Sequence, residues 1–195
     1  RRAACHTASM RIRQAQPDDV DVLSELSRRT FTQTFGHLYR PEDLAFHLEH
    51  TCSVEALAPL LADSAHRCWL AVEDDGTQEG VNGSLGGVVG YVLAGPASLP
   101  HDGLHPEDGE IKRLYLLQGS QGSGRGAALM RTAVDWLLEG GPRVLWLSVW
   151  SENDGAQRFY RRFGFERAGE YLYPVGEHRD HELIFRRTAG ATALG

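Results

Sequence analysis

The feature that most constrains the fold is a glycine-rich segment between an apolar strand and a helix. Four glycines fall within residues 119–126, after the strand predicted at Glu110–Leu117 and before the amphipathic helix predicted at Gly126–Leu138. Backbone N–H groups converge where a helix begins, and that end carries partial positive charge. Glycine lets an anion approach the backbone closely because it has no side chain. The segment therefore predicts a loop that binds a phosphate or pyrophosphate.

Two common phosphate-binding patterns do not fit this loop. A P-loop requires Lys and then Ser or Thr after its last glycine, whereas two alanines follow Gly126. A dinucleotide fingerprint requires the spacing GxGxxG and an acidic residue at the end of the next strand. Here the spacing is Gly122, Gly124 and Gly126, and the next predicted strand ends in Trp150. A plain glycine turn remains the alternative at this point.

The rest of the pattern predicts one α/β (α+β) domain. Apolar residues recur at helical spacing along residues 20–35, and further helices are predicted from Pro41, over Val54–Ala62 and over Gly155–Phe163. The order of helices, then strands, then alternating strand and helix favours a single sheet with helices on both faces. The other predicted strands are Arg11–Ala15, Cys68–Val72, Leu85–Leu93, Val144–Trp150, Ala168–Tyr173 and His181–Arg186.

Length and composition bound the class of protein. The 195 residues fit one domain, which we expect at residues 10–188, with residues 1–9 as an extension without function and 189–195 as a tail. No apolar run approaches the ~20 residues that span a bilayer. Three cysteines without a CxxC pair favour a reducing, cytoplasmic setting. A net charge of −6 disfavours nucleic acid as a partner.

Two motifs resemble those of a known family. The pattern Gln121-x-x-Gly124-x-Gly126 after a strand resembles the acetyl-coenzyme A loop of the GCN5-related N-acetyltransferase (GNAT) family. Residues 153–160, closed by Phe163-Gly164-Phe165, resemble the family's Asn-x-x-Ala-x-x-Phe-Tyr segment. Two motifs in the right order are more specific than either alone. The resemblance covers residues 110–165 and implies the GNAT fold, a mixed, mostly antiparallel sheet with splayed central strands.

The resemblance also implies acetyl-CoA as the cosubstrate. The end of the strand before the loop would pair with the pantetheine arm, and the loop would bind the pyrophosphate through backbone N–H groups. Arg125 would add a charge-assisted contact, or would be a solvated cation. Asn153 would bond the cofactor arm, and it also fits a helix cap. The predicted cofactor-binding residues are Leu114, Tyr115, Leu116, Gln121, Gly122, Ser123, Gly124, Arg125, Gly126, Asn153 and Tyr160.

The implied reaction is direct attack of a neutral primary amine on the thioester. An alkyl ammonium has a pKa near ~10.4, so some group must accept its proton. Glu110 matches a position where several family members carry the general base, although others use a water chain. An exposed charge at a strand edge is the alternative for Glu110. Tyr160 matches the tyrosine that hydrogen-bonds or protonates the leaving thiolate, and a core aromatic residue is its alternative.

The acceptor is predicted from a looser resemblance. Residues 30–44 and 180–184 are similar to the helix 1–2 region and last strand of bacterial polyamine acetyltransferases. We therefore predict a polyamine or another small cationic amine as the acceptor. A protein N-terminus, a lysine side chain, and a catalytically idle CoA-binding sensor remain open alternatives, as does a homodimer. The residues predicted to line the amine site are His37, Tyr39, Glu42 and Glu182.

The histidine spacing predicts no metal site. His47 and His50 lie three residues apart, and His178 and His181 repeat that spacing. Neither pair has a Cys or carboxylate partner in register, so we expect these side chains to be solvated.

Overall fold

The computed structural model describes residues 9–74 and 85–190. Residues 1–8 of the expected extension and residues 191–195 of the expected tail lie outside these described residues. Most of the loop that the sequence predicts between the second and third strands also lies outside them.

Within the described residues, seven strands form one sheet with the order β1-β2-β3-β4-β5-β7-β6. Neighbouring strands are antiparallel except β4 and β5, which are parallel. This mixed sheet confirms the predicted fold class. The strands are β1 Ser9–Gln14, β2 Arg67–Asp74, β3 Val88–Pro96, β4 Gly109–Leu116, β5 Leu145–Trp150, β6 Glu166–Val175 and β7 His178–Arg187. The helices are α1 Val20–Phe35, α2 Pro41–Cys52, α3 Val54–Ala62, α4 Arg125–Leu138 and α5 Asp154–Arg162.

Local signals in the sequence set most of the helix boundaries. Proline at the first position begins α2, and two acidic residues follow in its first turn, where they suit the helix dipole. Ser53 separates α2 from α3, because its side chain accepts a hydrogen bond from the N–H of Ala56 at 3.2 Å. Several predicted strand boundaries differ from the observed ones by one to three residues, and β7 begins at His178 instead of His181. Strand β3 begins at Val88 instead of Leu85, because Gly86 and Gly87 adopt φ angles of 53° and 79° and turn the chain first.

The core lies on both faces of the sheet around β3. Every residue of β3 except the last is buried, which is typical of a strand that is covered on both faces. Helices α1 and α4 both pack against this strand. The fully buried side chains at the centre include Leu70, Tyr91, Leu129 and Met130.

The two central strands part soon after they meet. In the described residues, β4 and β5 pair only at Gly109 with Leu145 and at Glu110 with Trp146. Beyond that point β4 continues to its end beside β3, and β5 continues beside β7. Beyond the parting point, the edges of β4 and β5 that face each other therefore carry backbone N–H and C=O groups without a strand partner. An extended ligand can form hydrogen bonds with these groups. The predicted splay of the central strands is confirmed.

A β-bulge lies on β4 just past the parting point. Leu93 pairs with Arg113 and Ala94 pairs with Ile111, so Lys112 is the additional residue. Bulges re-aim side chains and are common beside active sites. This bulge therefore sets the directions of the charged side chains on β4 where the gap opens.

Gly90 offers a test of how tightly β3 and β4 pack at the open end of the gap. It pairs with Leu116, and a Cβ atom at Gly90 would lie 2.8 Å from the backbone oxygen of Tyr115 and would overlap the Leu116 side chain. We expect Gly90→Ala to lower the free energy of unfolding by about 1–3 kcal/mol, measured by urea denaturation.

The matched control is Gly155→Ala in the first turn of α5. Its Cβ would meet only the Asn153 side chain, at 3.7 Å, which is an ordinary contact. We expect its stability to be unchanged or raised by up to about 1 kcal/mol. Equal destabilisation by the two substitutions would contradict the proposed close approach at Gly90.

Candidate active site

The gap between β4 and β5 opens into a cleft of about 850 Å³. Its walls come from the two diverging strands, the glycine-rich loop, the start of α5, helix α1 and the β6–β7 hairpin. A concave site of this size, with a few polar groups among apolar side chains, is typical of small-molecule binding. All six tyrosines of the chain line it: Tyr39, Tyr91, Tyr115, Tyr160, Tyr171 and Tyr173.

The glycine-rich loop forms one end of the cleft. Gly119, Gly122 and Gly124 have φ angles of 88°, 82° and 82°, in the left-handed region that favours glycine. Gly124 precedes the first residue of α4, and no side chain caps that helix end. Its first N–H groups are therefore available to an anion. Of the predicted loop residues, Gln121, Gly122, Gly124 and Gly126 line the cleft.

Two other predicted loop residues do not line the cleft. Arg125 forms an ion pair with Glu73 on β2 and a hydrogen bond to the Ser123 hydroxyl. Neither Arg125 nor Ser123 belongs to the cleft wall. The Arg125 guanidinium therefore joins the start of α4 to the sheet in this structure, which differs from both roles expected from the sequence.

The other predicted cofactor residues do line the cleft. Leu114, Tyr115 and Leu116 lie on the part of β4 beyond the parting point. Asn153 lies at the opposite wall, where its Oδ1 accepts a hydrogen bond from the N–H of Ala156 at 3.0 Å and caps α5. The predicted helix cap is confirmed. This use of Oδ1 leaves the side-chain amide nitrogen to act as a donor toward the cleft.

Tyr160 projects from α5 into the cleft. The residue is 9% exposed, and its hydroxyl has no hydrogen-bond partner among the described residues. Burial, and then the nearby charge of Glu182, raise the pKa of Tyr160 well above its ordinary value. The hydroxyl therefore stays protonated and can donate a hydrogen bond to a ligand atom.

Glu110 lies at the point where β4 and β5 part. It is 6% exposed, so the alternative of an exposed strand-edge charge is wrong. Its Oε2 accepts hydrogen bonds from the N–H of Ser98 at 2.7 Å, from the Ser98 hydroxyl at 3.2 Å and from Lys112 Nζ at 3.1 Å. One carboxylate oxygen is thus held by three donors, and Oε1 has no partner among the described residues.

Glu182 is a second carboxylate in the cleft wall, on β7 opposite Trp150. Burial raises its pKa to about 7, a hydrogen bond from Ser148 acts in the opposite direction, and the charge of Asp180 raises the pKa further. The Ser148 hydroxyl also lies 3.2 Å from the hydroxyl of Tyr171. Glu182 can therefore gain or lose a proton near neutral pH, as a general base does.

The remaining predicted acceptor residues divide into two groups. Tyr39 lines the cleft, stacks on Phe31 with ring centres 6.0 Å apart, and donates a hydrogen bond to Asp180. His37 and Glu42 do not line the cleft. Both are exposed, and the Glu42 carboxylate lies 3.5 Å from the Arg40 guanidinium. The structure brings Tyr39 and Glu182 together and leaves His37 and Glu42 outside.

Sequence reasoning missed several polar side chains of the cleft. Arg113 points toward α1 and α2, where its Nη1 donates a hydrogen bond to the carbonyl oxygen of Thr51 at 2.8 Å. The signal for this residue was two adjacent cations, Lys112 and Arg113, between the apolar residues Ile111 and Leu114 of one strand. Ser98 and Ser148 had no such signal, because only the fold brings them to Glu110 and Glu182.

Two further searches were restricted to the described ranges, 9–74 and 85–190. No group of three or more His, Cys, Asp or Glu side chains there could hold a metal ion. No helix there is long and apolar enough to cross a membrane.

Comparison with known proteins identifies the family. A model of the Acetyltransferase (GNAT) family matches residues 21–165. An N-acetyltransferase of Mycobacterium bovis is 32% identical over 173 residues, which cover 87% of this chain and 97% of the relative. An N-acetyltransferase of Lactobacillus delbrueckii is 29% identical over 178 residues, which cover 91% of this chain and 96% of the relative.

The fold is shared with solved structures. The PaiA N-acetyltransferase of Thermoplasma acidophilum, solved in complex with coenzyme A, superposes with a TM-score of 0.69 at 19% identity. The superposition covers 92% of this chain and 99% of that one. With the family match over most of its length, the chain belongs to the acetyltransferase (GNAT) family and is an acetyl-CoA-dependent N-acetyltransferase.

Proposed function

We propose that this enzyme moves the acetyl group of acetyl-CoA directly onto a primary amine in the cleft between β4 and β5. One observation carries the proposal. A helix end open to an anion, an unpaired strand edge, a tyrosine hydroxyl without a partner among the described residues, and the carboxylates of Glu110 and Glu182 all face the same cleft. Each group matches one requirement of acetyl transfer.

The cofactor is proposed to lie along the gap. The N–H groups of residues 121–126 would bind the pyrophosphate, because the glycine conformations and the open end of α4 favour an anion there. The pantetheine arm carries amide groups, which would pair with the free edge of Leu114–Leu116 as an added strand does. The amide nitrogen of Asn153 faces the arm from the other wall.

Tyr160 is proposed to act on the sulfur. When the tetrahedral intermediate collapses, negative charge grows on the departing thiolate, and a hydrogen bond from the Tyr160 hydroxyl stabilises that charge. The reference pKa of Tyr already exceeds that of a thiol, so full proton transfer from Tyr160 to the thiolate is unfavourable. The raised pKa of Tyr160 makes this transfer still more unfavourable. We therefore assign hydrogen-bond donation, and we assign the oxyanion to a backbone N–H near Leu116.

The proton of the amine has two candidate acceptors. Glu110 as the base stays a prediction, and its Oε1 is free to contact the amine or an ordered water. Glu182 has the pKa that suits a base near neutral pH, and a bound ammonium would draw it into its charged form. We propose that Glu182 holds the ammonium and accepts its proton, while Glu110 orders the water beside the thioester.

The acceptor predicted from the sequence is a polyamine or another small cationic amine. The acidic side chains of Glu182 and Asp180 and the surrounding tyrosines support a cationic amine at this end of the cleft. Acetylation of a protein N-terminus or of a lysine side chain is the alternative to a small amine. Thiol release from acetyl-CoA in proportion to the acetylated product, compared between small amines and peptides, distinguishes these acceptors.

The first prediction concerns Tyr160→Phe. Thiol release at saturating acetyl-CoA should show a kcat lowered by about 10²–10³, the usual effect of removing one donor to a developing anion. The Kd for coenzyme A, measured by calorimetry, should stay within a few-fold of the wild type because the hydroxyl matters as charge grows. A folded variant with normal turnover, measured when chemistry limits the rate, would return Tyr160 to the role of a core aromatic residue.

The second prediction concerns the base. We expect kcat/KM to rise with pH through an apparent pKa near 7, which is the pKa of Glu182. Glu182→Gln should lose this rising limb of the pH profile and should lower the rate by about 10²–10⁴. Glu110→Gln should keep the rising limb but should reach a lower maximal kcat/KM. The profile is repeated with amines of different basicity, because an amine's own deprotonation gives a similar limb. Loss of the limb in Glu110→Gln alone would instead assign the base to Glu110.

A stability measurement provides the control for this assignment. Burial raises the pKa of Glu182 from 4.5 to about 7 in the folded protein, so the folded state binds more protons than the unfolded state between these values. Stability should therefore fall as pH rises through that window. Glu182→Gln should show less of this fall, and identical pH dependence in the two proteins would contradict the raised pKa.

A further inference from the structure

Arg113 is a charged side chain of the cleft to which the proposed mechanism gives no role. It projects from β4 beyond the parting point, beside Ser27 of α1 and Thr51 of α2. A guanidinium keeps its charge in proteins, and placing it below the surface without an anion is unfavourable. Among the described residues, Arg113 forms no ion pair with a carboxylate.

The hydrogen bonds of Arg113 use one nitrogen. Nη1 donates to the carbonyl oxygen of Thr51 at 2.8 Å and lies 3.5 Å from the Ser27 hydroxyl. Nη2 and Nε have no partner within residues 9–74 and 85–190. Because Arg113 belongs to the cleft wall, these two nitrogens remain for a ligand, and together they match the two oxygens of a carboxylate.

The other cations of the cleft wall differ from Arg113. Lys112 is paired with Glu110 at 3.1 Å. Arg162 is exposed on α5, where its guanidinium lies 5.6 Å from the Phe159 ring centre. Neighbouring His47 is buried, so the expectation of a solvated side chain is wrong for this residue. Burial and then the charge of Arg113 lower its pKa to about 4, so His47 is neutral and adds no second positive charge. The cation at Arg113 therefore stands uncompensated in this part of the described structure.

Arg113 and Glu182 act on the same end of the cleft with opposite charge. Burial raises the pKa of Tyr173, while Arg113 lowers it and Glu182 raises it. Tyr115 is affected in the same way, with burial as the largest cause. Contacts connect the charges of Arg113 and Glu182 as well. Thr51 accepts a hydrogen bond from Arg113, and the Thr51 hydroxyl lies 3.1 Å from the His47 ring nitrogen. The His47 ring centre lies 6.0 Å from that of Tyr173. Tyr171, two residues before Tyr173, pairs with Glu182. The acceptor end of the cleft is dipolar, with Glu182 as its negative side and Arg113 as its positive side.

We propose that the acceptor is a small amine that also carries an anionic group, such as a carboxylate, which Arg113 binds while the amine faces Glu182. The inference rests on the proposed function: it keeps the primary amine as the acceptor and replaces the polyamine predicted from the sequence with a zwitterionic amine. A zwitterionic amine complements both charges of the cleft. A polyamine would complement Glu182 and would bring a second ammonium toward Arg113.

The test uses acceptors that differ at the end remote from the amine. The panel consists of linear ω-amino acids of three to five carbons, their amides, the corresponding ω-aminoalkylphosphonates, and diamines of the same lengths. Thiol release is measured with each acceptor. At the best chain length, we expect the carboxylate or the phosphonate to exceed the amide and the diamine in kcat/KM by about 10- to 100-fold, as expected for one charged hydrogen-bonding pair.

Variants separate recognition from a structural role. Arg113→Gln should lose this preference through a higher KM for the anionic acceptors, with the KM for acetyl-CoA unchanged. Arg113→Lys should retain part of the preference, because it keeps the charge without the paired donors. The matched control, Arg162→Gln, removes an exposed cation of the same cleft and should retain the full preference. A merely structural Arg113 would lower activity toward all acceptors equally.

The outcomes distinguish this inference from the proposed function. Absence of thiol release with every amine and peptide tried would contradict the proposed function itself. Equal or better use of diamines, amides or peptides by the wild type would overturn the inference and leave the acetyltransferase activity intact. The wild-type panel decides this even where Arg113→Gln does not fold. A folded Arg113→Gln variant that keeps the preference for anionic acceptors would also overturn the inference that Arg113 binds them.

Discussion

The parting of β4 and β5 after two paired positions is the constraint on which the rest of this structure depends. A continuous sheet would use the backbone groups of both strands, and no cleft would exist between them. Because the strands diverge beyond Glu110 and Trp146, the starts of α4 and α5 face one gap from its two sides. The bulge at Lys112 lies at the same place and directs the charges of β4. The proposed cofactor binding and the proposed acid–base chemistry therefore both depend on one break in strand pairing.

Burial gives the side chains of this gap their chemical character. The cleft is deep and lined by tyrosines, and loss of solvent is the largest cause of the raised pKa of both Tyr160 and Glu182. The same effect keeps a hydroxyl available as a donor and a carboxylate available as an acceptor of protons near neutral pH. Glu110 has a different set of contacts, because Ser98 and Lys112 donate hydrogen bonds to its Oε2. Glu110 and Glu182 thereby have different environments in one cleft, and we propose that they have different roles.

The parts of the site that the sequence predicts are those encoded by neighbouring residues. The glycine spacing around Gly124 requires a left-handed backbone at a helix start, and such a local requirement is visible in the chain. The motif that contains Tyr160 and Asn153 likewise lies on one helix and its cap. The other contacts of the site join residues that are far apart in the sequence. Arg125 looked free to contact an anion, but the fold brings Glu73 of β2 beside it.

The acceptor end was the least predictable part for the same reason. His37 and Glu42 were chosen by a loose resemblance of the helix 1–2 region, and the sequence does not specify which way that region faces. Their side chains lie in solvent. Arg113 lies at the proposed acceptor end because α1 and α2 cover this part of β4. Glu182 has its raised pKa because strand pairing buries it between Trp150 and Tyr171.

A crystal structure of this enzyme with coenzyme A would show whether the gap between β4 and β5 holds the cofactor. We expect the pantetheine arm to lie between the two strands, with its amides paired to the free edge of Leu114–Leu116. We also expect the pyrophosphate on the N–H groups of residues 121–126 and the thiol within hydrogen-bonding distance of the Tyr160 hydroxyl. Coenzyme A bound outside the gap, or with its thiol turned away from Tyr160, would contradict the proposed role of the gap.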